Sequence, residues 1–365
     1  MLYSPVPTIP AAELAGALLA ALRAPGEQRT KFRELVRAYL GREAVDFCCA
    51  RAALEHILRR LEVRRVVMPA FLCPELAEVL LKLGVRPVFV DVHRGTLNIS
   101  PEGVQEVISR GDALLAVHAF GNPCQLTALA ELASDAGAHL IEDCAHALGA
   151  RYRGMPVGTF GRYSVFSMYK LLPTPSGGFL CASEGVDEPP GGAPALGHLL
   201  RLPYVTREVH PLLLRLRRGG SGRGYPTGRC SPVALSIFNR LFPRIEELTL
   251  RRRRFAEALA SELSGYEVQK VERDARPSWQ SLAVLLPEES SPPQVAAHLR
   301  RRGVVAHRTW HDTIILHPGM RRYAPGEYPV TLEVSRRILT LPVQPHYTHR
   351  DARAIAEAFE ASLSA

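Results

Sequence analysis

RRVVMPAF (residues 64–71), ELAEVLLKLG (75–84), RPVFVDV (86–92), PEGVQEVISRG (101–111), ALLAVHAF (113–120), LTALAELASDAG (126–137) and AHLIEDC (138–144) follow one another along the chain. The first, third, fifth and last are short apolar runs, the pattern of strands buried on both faces. The segments between them read as amphipathic helices; Gly84 closes the first and Pro101 opens the second. Strand and helix in strict alternation predict a parallel sheet with helices on both faces. Ligands of such sheets sit beyond the carboxyl ends of the strands. Three clusters fall there: Phe71–Pro74, His118–Pro123 and Asp143–His146.

On the N-terminal side, Ala11 to Leu40 reads as helices ending near Gly41. On the other side, YSVFSMY (163–169) and FLCAS (179–183) read as further strands. From Val186 to Cys230 the pattern fails: PPGGAP, RRGG and GRGYPTG are loop chemistry around a helix-like stretch at Pro211–Arg217. This segment is either an excursion near the mouth of a site or a disordered insertion. A long helix is expected after Pro243, then the strand SLAVLLP (281–287), the helix PPQVAAHLRRRG (292–303) and a last helix, DARAIAEAFEASL (351–363). The 365 residues suit two unequal domains. The expected division is an N-terminal arm at 1–30, a large domain at 31–242 containing the irregular segment 186–230, and a smaller domain at 243–365.

Hydrophobic residues make up 47% and charged residues 22%, which excludes a disordered chain. No apolar run approaches the roughly 20 residues that cross a bilayer. The start, MLYSPVPTIP, lacks the basic and apolar regions of a secretory signal, so a cytoplasmic location is expected. Seven cysteines without a C-x-x-C pair argue against a disulfide framework and against a zinc site. The net charge is +9, and nearly all of the positive charge is arginine. That bias does not imply nucleic-acid binding, and no helix-turn-helix or similar module is visible. The run Arg251–Arg254 is expected along a solvated helix face. The only lysines are Lys31, Lys82, Lys170 and Lys270. Arginine replaces lysine in most surface roles but cannot form an imine, so a retained lysine invites a chemical reason.

Lys170 lies in FSMYKLLPTPSGG (166–178). It reads either as a surface lysine of a Pro-rich loop or as a nucleophilic amine activated by desolvation. Ser167, three residues earlier, is placed to bind a phosphate oxygen of the same ligand, and Gly177 and Gly178 allow close backbone approach. Asp143, at the end of IED in IEDCAHA (141–147), reads either as a helix N-cap or as an anion paired with a pyridinium N–H. His146 lies near that ring or is a satisfied buried histidine. In CCARAAL (48–54) a strand end meets a helix start, where exposed N–H groups bind anions and Arg51 adds charge; an ordinary helix with a surface arginine fits equally. An imine-forming lysine, a phosphate ligand and a pyridinium partner are the needs of pyridoxal 5′-phosphate (PLP).

Taken in order, VVMPAF, GVRPVFVDV with Asn98, VHAFGNP, HLIEDCAHALGARYRGMPVGTFG, VFSMYK with the Gly-Gly pair, SPVALSIFNRL and RRILTLPVQPHYT resemble the DegT/StrS-type family of PLP-dependent sugar aminotransferases. The resemblance runs from about Phe32 to the C-terminus. It implies the fold-type-I PLP transferase architecture: a mainly parallel α/β large domain and a smaller α+β C-terminal domain. It also implies a homodimer with shared active sites, glutamate as usual donor and a keto-sugar acceptor. Lys170 matches the imine-forming lysine, Asp143 the pyridine partner, His146 a glutamine or histidine position, and Ser167 a phosphate-binding serine. Ala50 and Arg51 stand where the family has Gly-Thr in its phosphate turn.

This sequence departs from the family's pattern in places. The Ser167–Lys170 loop is two residues shorter than usual. Cys73 replaces an aromatic residue that stacks on the ring, with Phe71 as an available substitute. Thr227, in YPTGRCS (225–231), stands where an asparagine reaches phosphate from the partner subunit. Trp310 and His311, in HRTWHDT (307–313), either line the acceptor pocket or are structural. Two rival readings are a PLP-dependent sugar dehydratase, which has histidine in place of the lysine, and a PLP-binding regulatory paralogue.

Overall fold

The computed structural model describes residues 2–189, 206 and 225–364. The helix-like stretch expected at Pro211–Arg217 lies outside them.

Two helices open the chain, α1 (Ala11–Arg23) and α2 (Pro25–Leu40), the second ended by Gly41 at φ +67°. Then follow β1 (Glu43–Phe47), α3 (Ala50–Leu61), β2 (Arg65–Pro69), α4 (Leu76–Leu83), β3 (Arg86–Val90), α5 (Pro101–Val107), β4 (Ala113–Val117), α6 (Leu126–Ala136) and β5 (His139–Asp143). A small hairpin, β6 (Arg151–Tyr152) and β7 (Met155–Pro156), leads to β8 (Tyr163–Ser167) and β9 (Gly178–Ala182). The alternation read from residues 64–144 is the alternation observed. After residue 225 come α7 (Pro232–Leu241), α8 (Ile245–Glu262), β10 (Glu267–Val268), β11 (Ala275–Arg276), β12 (Ser281–Leu285), α9 (Pro292–Arg301), α10 (Pro329–Arg337), β13 (Ile338–Pro342) and α11 (His349–Leu363).

Seven strands form the main sheet in the order β1-β9-β8-β5-β4-β2-β3. The pairs β8–β5, β5–β4, β4–β2 and β2–β3 are parallel, while β9 runs antiparallel to both of its neighbours. Successive side chains of a strand point to opposite faces. Val66 and Met68 of β2 accordingly join one apolar core and Val67 the other; Leu115 and Leu114 of β4 divide in the same way. Burial on both faces is why these strands read as unbroken apolar runs. A second, three-stranded sheet, β10-β12-β13, has its own core, with Phe255 and Leu259 of α8 packed among Val284, Leu299 and Phe359.

One expectation fails. The run Arg251–Arg254 does not lie wholly in solvent, because Arg252 is 1% exposed. It falls on the stripe Ile245, Thr249, Arg252, Ala256 and Leu259 that α8 turns inward. Its guanidinium donates to the carbonyls of Val343 (2.6 Å), Trp279 (3.2 Å) and Leu171 (3.3 Å) and to Gln344 Oε1 (3.0 Å). The buried arginine thus fastens the loop after Lys170 to the strand end after β13.

Candidate active site

Strands β1, β2, β4, β5 and β8 share one direction, so their carboxyl ends lie along one edge. Register brings the functional groups level: Asp143 pairs with Val117 on one side and Val165 on the other. His118 follows directly after Val117, and Ser167 lies two residues beyond Val165. A cavity of about 150 Å³ opens there, and its lining includes Ala50, Arg51, Cys73, Asp143, His146, Ser167, Lys170 and Trp310. Eight residues from across the chain meet in one place.

Asp143 is 8% exposed, and its Oδ1 accepts from the Ala145 N–H at 2.9 Å. Its second oxygen takes no hydrogen bond among the described residues. Burial pushes its carboxyl above the ordinary range, against the Ala145 N–H, His118 and Lys170. A cationic N–H placed beside it would return it to the anion. Lys170 makes no ion pair among the described residues. Burial opposes its charge, but Tyr169, Cys73, Glu75 and Asp143 outweigh that and hold the ammonium above its ordinary range. His146 is pushed well below the ordinary range by burial and then by Lys170, so it is neutral. Its ring stacks on Trp310, with centroids 5.3 Å apart and planes 11° apart.

Ser167 is 1% exposed, and its hydroxyl has no partner among the described residues. Close by, α3 begins at Ala50 with no side chain capping its first turn. A Cβ on Gly178 would stand 2.5 Å from the Ala50 nitrogen, so the glycine lets β9 press against this turn. An unpartnered buried hydroxyl beside an open helix N-terminus is a receptor for an anion.

The remaining expected residues divide. Arg51 lines the cavity, yet its guanidinium pairs with Glu78 at 2.9 Å and lies 5.1 Å from the Tyr225 ring. Cys73 lines it, with its thiol donating to Glu75. Phe71 does not line it: the ring is turned away, 5.4 Å from Trp310 and 6.3 Å from Phe120. Thr227 is exposed and outside the cavity. Trp310 forms part of the wall, whereas His311 lies outside it, its Nδ1 2.7 Å from the Arg308 carbonyl oxygen. Glu75 and Tyr169 also line it without having been singled out by sequence. Both adjoin expected residues, and that adjacency was their only signal.

The residues present fit PLP. Lys170 offers an amine, Asp143 an unused oxygen in a buried carboxylate, and Ser167 with the start of α3 an anion receptor, all on one cavity. Comparison with known proteins agrees. The model of the DegT/DnrJ/EryC1/StrS aminotransferase family matches residues 12–186 and 227–360. The dTDP-3-amino-3,4,6-trideoxy-alpha-D-glucose transaminase of Streptomyces venezuelae is 28% identical, over 75% of this chain and 70% of that protein. Among solved structures, the aminotransferase TlmJ from Streptoalloteichus hindustanus has a TM-score of 0.79 at 24% identity, covering 100% of this chain and 99% of that one. The PLP form of a putative sugar aminotransferase, Spr1654 from Streptococcus pneumoniae, also has a TM-score of 0.79, at 18% identity over 100% of this chain and 98% of that one. With the family model spanning both sheets and the site between them, the chain belongs to the DegT/DnrJ/EryC1/StrS aminotransferase family of PLP-dependent transaminases.

Proposed function

We propose that this protein carries an amino group from an amino acid, glutamate first among donors, to the carbonyl of a keto-sugar, for a polysaccharide or a secondary metabolite. One observation carries the reading: Lys170, Asp143 and the unpartnered Ser167 hydroxyl face the same cavity. The name of the Streptomyces venezuelae relative, a transaminase of a dTDP-linked amino sugar, supports a nucleotide-linked acceptor.

Bound PLP supplies an aldehyde that carries the amino group and a ring that takes up electrons from the carbon losing its proton. Asp143 holds its charge for the ring N–H. Ser167 and the first-turn N–H groups of α3 hold the phosphate. With the cofactor bound, Lys170 Nζ would hold the proton of the substrate α-carbon and return it. Neutral His146 and the Trp310 ring bound the cavity without adding charge. Trp310 faces the acceptor in this reading.

The proposal extends to a cytoplasmic homodimer, in which Thr227, exposed and outside its own cavity, reaches toward the neighbouring one. It retains the division into an arm at 1–30, a large domain at 31–242 and a small domain at 243–365. Among the described residues no helix is long and apolar enough to cross a membrane.

Borohydride reduction of the PLP-loaded protein, followed by peptide mass spectrometry, is expected to place the cofactor mass on Lys170. Attachment at another lysine removes the site. Glutamate is expected to bleach the visible absorbance and a keto-sugar to restore it. A loaded protein indifferent to both overturns the sugar reading.

A further inference from the structure

Seven free cysteines divide sharply by surroundings. Cys48, Cys124, Cys144, Cys181 and Cys230 are buried; Cys49 and Cys73 are partly exposed, and both line the cavity. Those two are chemically unlike. Cys73 donates to the Glu75 carboxylate, and burial, then the Glu75 charge, push its thiol up to about 12.

Cys49 is the N-cap of the twelve-residue helix α3. Its thiol is drawn down to about 7 by hydrogen bonding from Cys48, by the N–H groups of Ala52 and Arg51, and by the Arg51 charge. Cys48 Sγ also lies 2.8 Å from the Pro226 carbonyl oxygen and donates there. The Cys48 bond is the largest of these causes and burial opposes them; Cys49 Sγ itself lies 3.7 Å from the same Pro226 carbonyl oxygen, at a helix N-terminus, where thiolates are favoured. An independent feature of the same cavity also calls for an anion: the Ser167 hydroxyl, 1% exposed and without a partner among the described residues. The same first-turn N–H groups therefore serve two anions, a phosphate group and the sulfur of Cys49.

We propose that Cys49 is a modification site for soft electrophiles, and that its modification and the binding of a phosphate group in this corner exclude one another. This rests on the PLP reading only for the identity of the phosphate's owner. With iodoacetamide as probe, the sulfur attacks the methylene carbon, the S–C bond forms, the C–I bond breaks and iodide leaves. The thiol proton goes to solvent. The bulky product occupies the anion corner and blocks cofactor loading. Loaded protein is shielded, and cofactor-free protein is the reactive form.

The test uses the full chain, cofactor-free and PLP-loaded, with limiting iodoacetamide at neutral pH and peptide mass spectrometry. Cys49 is expected to label at least ~10-fold faster than Cys73, in keeping with its thiolate character. Inorganic phosphate and PLP are each expected to slow that labelling, and pyridoxal without phosphate to leave it unchanged. Labelled protein is expected to lose PLP uptake, measured by visible absorbance. The Cys49→Ser variant is expected to keep PLP uptake after the same treatment, and the Cys73→Ser variant to lose it as the unaltered protein does. Equal labelling of Cys73, or a Cys49 rate indifferent to both phosphate and PLP, overturns the proposal. If unmodified protein takes up no PLP, the functional reading fails, while protection of Cys49 by inorganic phosphate still decides this inference.

Discussion

Replacing Arg252 by methionine tests how a lone buried charge is held, and the expected loss is smaller than its four hydrogen bonds suggest. An acceptor left buried without its donor costs ~1–3 kcal/mol. Taking the low end for Leu171 and Trp279, at 3.3 and 3.2 Å, the four losses come to about 4–8 kcal/mol. Against this stands the burial of a guanidinium that has no carboxylate partner among the described residues. Burial lowers it from 12.5 to about 10. At ~1.4 kcal/mol per pH unit, the charge costs about 3 kcal/mol to keep in place. Methionine removes that cost together with the donors, leaving a net loss of about 1–5 kcal/mol. With an unfolding entropy of ~2.1 cal/mol/K per residue, that is about 1–6 °C of melting temperature. Lysine keeps a more strongly hydrated charge, and its single nitrogen cannot span four oxygens fixed on three segments. Arg252→Lys is therefore expected to be no more stable than Arg252→Met. Because Leu171 adjoins Lys170, both variants are also expected to bind PLP more weakly, read by absorbance titration. Thermal unfolding of the cofactor-free proteins checks the ranking. A lysine variant that melts with the unaltered protein, or a methionine variant lower by more than ~10 °C, refutes the accounting.

Three further outcomes follow from the same geometry. Asp143→Asn removes the anion opposite the ring nitrogen; the bleaching rate with glutamate is expected to fall about 10- to 100-fold, the worth of a charge-assisted bond, and a rate within about 2-fold would count against the pairing. Ser167→Ala is expected to raise the PLP dissociation constant roughly 10-fold, with melting temperature of the cofactor-free protein unchanged, since the hydroxyl has no partner to lose among the described residues. His146 is held neutral by burial, so below its ordinary value of 6.5 the unfolded chain binds a proton that the folded one refuses. Stability should fall with falling pH there, by up to ~1.4 kcal/mol per pH unit, and His146→Gln should flatten that limb in denaturant titrations across the acid range.

The sheet was readable because its strands are buried on both faces and its helices on one, and each condition leaves its own period in the sequence. That Lys170, Asp143 and Ser167 would meet at one cavity was readable for another reason. Only an amine makes an imine, only a carboxylate balances a pyridinium, and the alternation had already placed their loops at strand ends. Phe71 shows where such reading stops. Its position beside Cys73 suggested a ring over the cavity, but side-chain direction in that loop is fixed from far away. Thr313 Oγ1 donates to the Ala70 carbonyl at 2.6 Å and accepts from the Leu72 N–H at 2.9 Å, across more than 240 residues of chain. Held at both flanks, Phe71 turns toward Phe120 and Trp310, and Trp310 forms the wall instead. No local pattern encodes a tether of that span.

Arg252 differs from Phe71 in that its signal was local and was masked by its neighbours. Within Arg251–Arg254 the charge run suggested a solvated face. The helical spacing nevertheless placed residue 252 on the stripe of Ile245, Thr249, Ala256 and Leu259. Period and charge pointed opposite ways at that one position. Period prevailed, because a helix cannot turn one residue of a stripe outward without turning the rest. A guanidinium carried inward in this way must find oxygens, and those available belonged to loops that no helix or sheet ladder holds, among them the one that follows Lys170. The conflict between spacing and charge was thus itself the readable sign that α8 clamps the active-site loop.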